Sequence, residues 1–519
     1  MRKFLLLIAV ALFSTATYAQ EYSWNDSISA VGEKDAVNFN SPAAMDKDGN
    51  LYVTGTQTEA FEFAGKEAEV LALGAYIAKY NAKGEELFAI TLHGAIDITA
   101  ITTDAENNFY VAGSFAGEAY ITDVEGTDGE YETITNSEAD SKTAAFIAKY
   151  DANGNLLAVK SYIAEHNDFM KEMEANWMYW GMAPEVSISK IVADGPKVYA
   201  QFCYIGGVAV DENLTTEAKY IDYFGMGYLD FTSTSLVSFD SNIENASELA
   251  QLTIADTGDA TTYVNSFNFV VDGDDVYVAA FGMGNLVLAT SAGSEAFDFE
   301  YDGNGVTETG AILAKIGKKS VKFSNIPTDV YAPSREIVDM EARDGNLYIA
   351  GTFGVTCAFD STKVAVGASD VFVASVNAEE LSVNWVYTNA NDEGETNKFF
   401  EEVTGVVFDE ENILVIDAVT DMNNEVAPVA KNYAVSYAGV AEETEAIAAT
   451  AVAYNANAVA FINYTTATYI TVYGEETAGI ESVIVETENN TIYDLTGRRV
   501  EKITNAGIYI VNGVKVVVK

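Results

Sequence analysis

Apolar residues along this chain come in short runs of four to six, rich in Val, Ile, Tyr and Phe and bounded by clusters of Asp, Asn and Gly. Such runs predict β-strands. No long stretch carries the apolar spacing of an amphipathic helix. The runs also recur as a unit. The clearest copies pair Asp46-Lys-Asp-Gly-Asn-Leu-Tyr-Val-Thr-Gly55 with Ala75-Tyr-Ile-Ala-Lys-Tyr-Asn-Ala-Lys-Gly84, and Asn107-Asn-Phe-Tyr-Val-Ala-Gly113 with Ala145-Phe-Ile-Ala-Lys-Tyr-Asp-Ala-Asn-Gly154. A third pairs Asp344-Gly-Asn-Leu-Tyr-Ile-Ala-Gly351 with Val371–Val376.

Weaker copies of the first landmark stand at Val198, Val276, Ile413 and Val459, which makes seven in all. Turn–strand–loop–strand units of this kind predict an all-β chain folded as a β-propeller, with seven blades favoured over six or eight. The segment 448–473 offers only three strands. Tyr22–Gly32 looks like the fourth strands at Leu87–Leu92 and Val383–Tyr387, so the mature N-terminus is expected to complete the last blade and remove its open edge. The copies resemble the SBBP repeat of bacterial extracellular proteins, which implies the same propeller fold.

In a four-stranded meander, the loops between second and third strands and those between blades leave on one face. The long insertions, near 56–74, 114–144, 163–185, 204–233, 282–310 and 352–369, all fall in these classes. Long loops gathered on one face usually carry function. Two are aromatic. Trp177, Tyr179 and Trp180 hold two of the chain's four tryptophans, and Tyr220, Tyr223 and Tyr228 lie in the next insertion. Rings beside carboxylates suit a glycan or protein ligand. The competing reading is a small core that packs beneath the loops.

Among 519 residues, 28 Lys and Arg face 78 Asp and Glu, for a net charge of −50. A surface of that sign repels phosphate backbones, and no basic cluster offsets it, so nucleic acid is excluded as a partner. Calcium is the ion the charge would suit. Asp46 and Asp48, and Asp272 and Asp274, stand in Asp-x-Asp spacings, but each sits where a hairpin turn is expected. No nucleophile elbow, zinc-protease helix, phosphate loop or dinucleotide fingerprint occurs, so no catalytic residue is assigned. Paired carboxylates on the loop face would make a glycoside hydrolase or lyase, the second reading. A structural or adhesive envelope protein is the third. Cys203 and Cys357 read as buried free thiols. His166 reads as a solvated loop residue.

The two ends read as address labels. Arg2 and Lys3, the apolar run Phe4–Phe13 and Thr17-Tyr18-Ala19 fit a signal peptide over residues 1–19. No run is long enough to span a membrane as a helix. The repeat pattern stops near residue 475. Residues 476–519 hold three expected strands, Val483–Val485, Thr491–Asp494 and Gly507–Lys519. Ile492-Tyr-Asp-Leu-Thr-Gly-Arg-Arg-Val500, Ala506–Gly513 and Lys515-Val-Val-Val-Lys519 resemble the C-terminal sorting domain of type IX (Por) secretion substrates in Bacteroidetes. That resemblance implies a small β-rich sorting domain, the secretion machinery as a partner, and an extracellular or outer-membrane-surface location.

Overall fold

The computed structural model describes residues 21–31, 42–69, 73–137, 141–178, 183–222, 225–255, 262–299, 309–328, 336–389, 399–421, 429–444, 447–464, 467–475, 492–494, 499–500, 507–511 and 514–518. The protein is a β-propeller. Seven antiparallel four-stranded meanders stand among the described strands, beside shorter hairpins in the insertions. The first runs through Ala43–Met45, Leu51–Gln57, Gly74–Tyr80 and the first half of Glu86–Thr103. The second half of that long strand opens the second meander, which continues through Phe109–Asp123, Ala144–Tyr150 and Leu156–Tyr162. Four more follow, beginning at Glu185, Tyr263, Glu336 and Phe399. The last holds Ala451–Tyr454, Ala458–Tyr464 and Thr468–Glu475, and its fourth strand is Glu21–Ile28 from the N-terminus.

The repeat motif is a turn with a defined hydrogen-bond plan. Asp46 Oδ1 accepts from the backbone N–H groups of Asp48 and Asn50, and Oδ2 accepts from the Asn50 amide. Asp104 with Asn108 and Asp151 with Asn155 repeat the arrangement. The carboxylate satisfies donors that the reversing chain would otherwise leave open.

The lysine repeated in the third strand, in Ala-Lys-Tyr at 78–80 and 148–150 and in Ala-Lys-Ile at 314–316, has a second role. Lys79 lies over the Tyr52 ring at 4.7 Å and donates to Ala152 O, in the turn of the second meander, at 2.7 Å. Lys149 lies over Tyr110 at 5.3 Å and donates to Ser241 O, in the turn of the third, at 2.7 Å. Lys315, over Tyr277, reaches Glu379 in the turn of the fifth. Each lysine therefore latches its meander to the next one. Replacing Lys149 by Met keeps the stem and removes the charge-assisted bond. The expected loss is about 1–3 kcal/mol, read as a lower denaturant midpoint; an unchanged midpoint would discount the latch.

Apolar faces meet between meanders, so the core is a series of inter-sheet layers. One layer holds Tyr110, Ile147, Val186, Phe202 and Val237, from the second and third meanders. Another joins Ile28 and Ala30 to Val53, Tyr76 and Tyr80 of the first meander and Ile462 and Ile470 of the last. Ring closure is thus sealed by side chains as well as by strand pairing.

The described strands beyond Glu475 belong to a separate compact unit. Its described strands make a four-stranded sheet in the order Arg499–Val500, Ile492–Asp494, Gly507–Val511, Val514–Val518. The single strand expected over Gly507–Lys519 is instead an antiparallel pair, with Gly507 facing Val518 and Val511 facing Val514. Asn512-Gly513, a strong hairpin dipeptide, stands between the two. Val483–Val485 lies outside the described residues.

Candidate functional site

The insertions expected on one face lie between second and third strands in the first five meanders, and between the second and third meanders at 163–184. The last of these contains a helix, Asp168–Ala175. Asn167 caps it, its side chain accepting from Met170 N at 3.0 Å. At the other end Trp177 N donates to Glu174 O and Met178 N to Met173 O, a paired C-terminal closure that places Trp177 at φ +61°. Glycine is the usual residue there, because a Cβ is strained in that conformation. The protein places a tryptophan there, 90% exposed.

The next insertion meets this one. Tyr220–Asp222 and Tyr228–Asp230 form a hairpin, and Tyr228 N donates to Met178 O at 2.7 Å. The rings of Phe169 and Tyr228 stand edge to face at 5.1 Å. The two aromatic loops are therefore joined. Trp177, Phe169, Met178 and Met226 are exposed on this ridge, whereas Ile221 and Phe231 turn into the core and Tyr220 is half-buried. Ile221 and Phe231 match the small core expected beneath the loops, while Trp177 and Phe169 stay at the surface. Tyr179, Trp180 and Tyr223 lie outside the described residues.

The acidic pairs are turn elements. Both Asp46 oxygens are used within its own turn, and Asp48 bonds the Asn107 amide beside Lys47. Asp274 pairs with Lys318 at 2.7 Å, and Asp272 faces Asp275 across the Gly273 turn. Among the described residues no group of three or more His, Cys, Asp or Glu is arranged to hold a metal ion. No described helix is long and apolar enough to cross a membrane.

A second candidate site was not visible in the motifs. A cavity of about 580 Å³ lies against the first strands of the second to fifth meanders. Its origin is geometric. The third and fourth meanders are joined at their outer side, where Ala250–Ile254 pairs with Leu286–Thr290. Their first strands do not pack closely, unlike the other neighbouring first strands around the ring. Lys190 bridges this opening. Its Nζ donates to Asn268 Oδ1 and to Asp339 Oδ1, each at 2.8 Å, and lies 5.4 Å from the Phe269 ring. Asn268 in turn donates to Val338 O at 3.0 Å, so one cation ties three meanders together.

Bulges shape the wall. The pairing of first and second strands skips a residue at Thr99, Ser189, Asn265, Val338 and Thr404, in five successive meanders. A bulge re-aims a side chain out of the ladder. Thr99, Ser189, Asn265 and Val338 all line the cavity. Cys203 lines it as well and is only partly buried, unlike Cys357, so one of the two thiols expected in the core faces a polar space. His166 is 8% exposed, which corrects its reading as a solvated residue.

Glu336 and Asp339 are the carboxylates of the cavity wall. Asp339 Oδ1 accepts from both Lys190 and Met340 N. That oxygen is held in the scaffold, which does not suit a nucleophile or a proton-transfer base.

No family model matches the chain. A 131-residue stretch is 33% identical to an uncharacterized WD repeat-containing protein of Acanthamoeba polyphaga mimivirus, over 22% of this chain and 9% of that relative. The chain thus spans under a tenth of the length of that curated relative. Solved structures of similar fold include BamB from Moraxella catarrhalis (11% identity, 88% of this chain and 98% of that one, TM-score 0.35). The Dos1 propeller (10%, 84% and 93%, TM-score 0.38) and the polysaccharide lyase Uly1 (10%, 92% and 96%, TM-score 0.33) are others. Enzymes and non-enzymes both occur among these neighbours.

Proposed function

We propose that this chain is an exported, non-catalytic binding propeller of seven blades, one for each meander, that docks a protein partner on its loop face. Residues 1–19 direct export, and the C-terminal unit addresses the chain to the type IX route. The mature protein then acts outside the cell or on the outer-membrane surface. Trp177 carries the binding reading. A solvent-exposed tryptophan in a left-handed cap position costs stability that glycine would not, and a partner that takes up the ring offsets that cost. The flanking Met178 and Met226 are flexible and polarisable, which suits a protein surface better than a sugar ring.

Trp177→Gly tests this without disturbing the fold. The variant should melt at the same temperature or slightly higher, by up to about 1 kcal/mol of added stability. It should lose at least tenfold in affinity for whatever the wild-type protein retains from the producing cell's surface-protein fraction, about 1.4 kcal/mol or more. Equal retention by the two proteins would refute the ridge as the binding surface. Retention by a glycan array, lost in the variant, would move the ligand class to carbohydrate.

A further inference from the structure

Two groups of polar side chains in the cavity wall differ in how well they are paired. The Lys190–Asn268–Asp339 bridge is paired, and its charge is balanced. A few ångströms of strand away, Ser189, Gln201, Cys203 and Thr234 form a cluster that is poorly paired. Ser189 Oγ, Thr234 Oγ1 and Gln201 Nε2 approach the Cys203 sulfur at 3.7, 3.8 and 3.9 Å. Sulfur is a weak hydrogen-bond partner. Gln201 Oε1 is buried and has no partner, in a residue only 6% exposed. A buried amide oxygen left without a bond costs about 1–3 kcal/mol. All four residues line the same cavity.

We propose that this cavity is a binding site for a small neutral polyol, of the size of a monosaccharide. Its volume lies within the roughly 300–1,000 Å³ of small-molecule sites and far exceeds the about 30 Å³ of one structural water. The four cluster side chains are uncharged, and the one cation nearby is already neutralised by Asp339. A charged guest would therefore meet no opposite charge in the cluster, all of which stands on the third meander, whereas Glu336, the other carboxylate of the wall, stands on the fifth. The amide offers an acceptor and a donor, and each hydroxyl offers both, which matches a ligand whose own groups are hydroxyls. Ile101, Ile191 and Val264 supply apolar wall for its C–H face. This site is separate from the loop-face ridge, none of whose exposed residues lines the cavity.

Cys203 supplies the readout. In the folded full-length protein iodoacetamide should alkylate Cys203, which is partly exposed, and spare Cys357, which is fully buried. The probes are D-glucose, D-galactose, N-acetyl-D-glucosamine and myo-inositol at millimolar concentration. At least one should slow alkylation of Cys203 by about fivefold, as mass action requires at several times the dissociation constant. Gln201→Leu should abolish that protection. Thr234→Val is the second variant, and should weaken it if Gln201→Leu does not fold. Failure of all four probes to protect Cys203 overturns the proposal. So does protection that persists in both variants, or a Cys203 that reacts no faster than Cys357.

Discussion

A chain that begins at Asn40 instead of Gln20 should lose much of its stability, because its last meander would keep three strands and an open edge. Glu21–Ile28 is the outer strand of that sheet. Its Trp24 ring lies 5.1 Å from the Tyr80 ring, and a Cβ built on Gly84 would fall 2.5 Å from it. Gly84, at φ +80°, belongs to the turn before the fourth strand of the first meander. Two other fourth strands do the same to the meander that follows. Phe88 covers Gly154 and Trp385 covers Gly439, both glycines at positive φ. The N-terminal strand thus seals the last meander against the first as an internal fourth strand seals its neighbour.

Truncation removes that seal, together with Ile28 and Ala30, buried at 4% and 2%. Burial of one large apolar side chain contributes about 1.5–3 kcal/mol, and the exposed edge adds a tendency to associate. The expected result is a drop of several kcal/mol in unfolding free energy, with aggregation on heating. Trp24→Ala, which keeps the strand, should cost about 2–3 kcal/mol, less than the about 3–5 of a fully buried aromatic. Equal denaturant midpoints for the full and shortened chains would show that the ring does not need its N-terminal strand.

Closure was legible because Trp24, Phe88 and Trp385 stand in similar short strands, and a repeat makes equivalent positions comparable. The turns were legible for the same reason, since Asp46, Asp104 and Asp151 do one job with one set of bonds. The cavity was not legible from motifs. Its polar residues are single substitutions inside apolar strands, and the bulges that aim them inward leave no mark in the sequence. One trace was present. Lys190, Asn268 and Asp339 each stand eight residues before the repeat landmarks Val198, Val276 and Leu347. The matching positions in the other copies are Ala43, Ile101, Gly405 and Ala451. Polar residues at one repeat position in three consecutive copies mark a cluster, here on the cavity wall.

The same inter-sheet packing that forms the core should make stability fall as pH rises through neutrality. Asp417 lies on the second strand of the sixth meander, paired in register with Val403 and Lys431, and is 1% exposed. Neither of its carboxylate oxygens has a well-formed hydrogen bond. Glu401 and Asp370, each 1% exposed, share the junction with the fifth meander, where Glu401 accepts from Asn389 at 2.6 Å. Burial above all, then Glu401, pushes the Asp417 carboxyl up to about 8, against Lys431 and the backbone N–H of Glu402.

The folded protein therefore holds this proton while the unfolded chain, with an ordinary aspartate, releases it near pH 4. Between about pH 4 and 8 unfolding releases a proton, so stability is full at the acid end of the window and declines towards its alkaline end. The decline should be on the order of 3–5 kcal/mol in total. Glu341, pushed up to about 7 by burial despite Arg343, contributes with the same sign. Asp417→Asn mimics the protonated acid, so it should match the wild type at pH 5 and exceed it at pH 8. Glu341→Gln separates the smaller share. Denaturant midpoints across this range decide the matter: an Asp417→Asn protein that loses stability with pH as steeply as the wild type would mean that Asp417 is already ionised in the folded state.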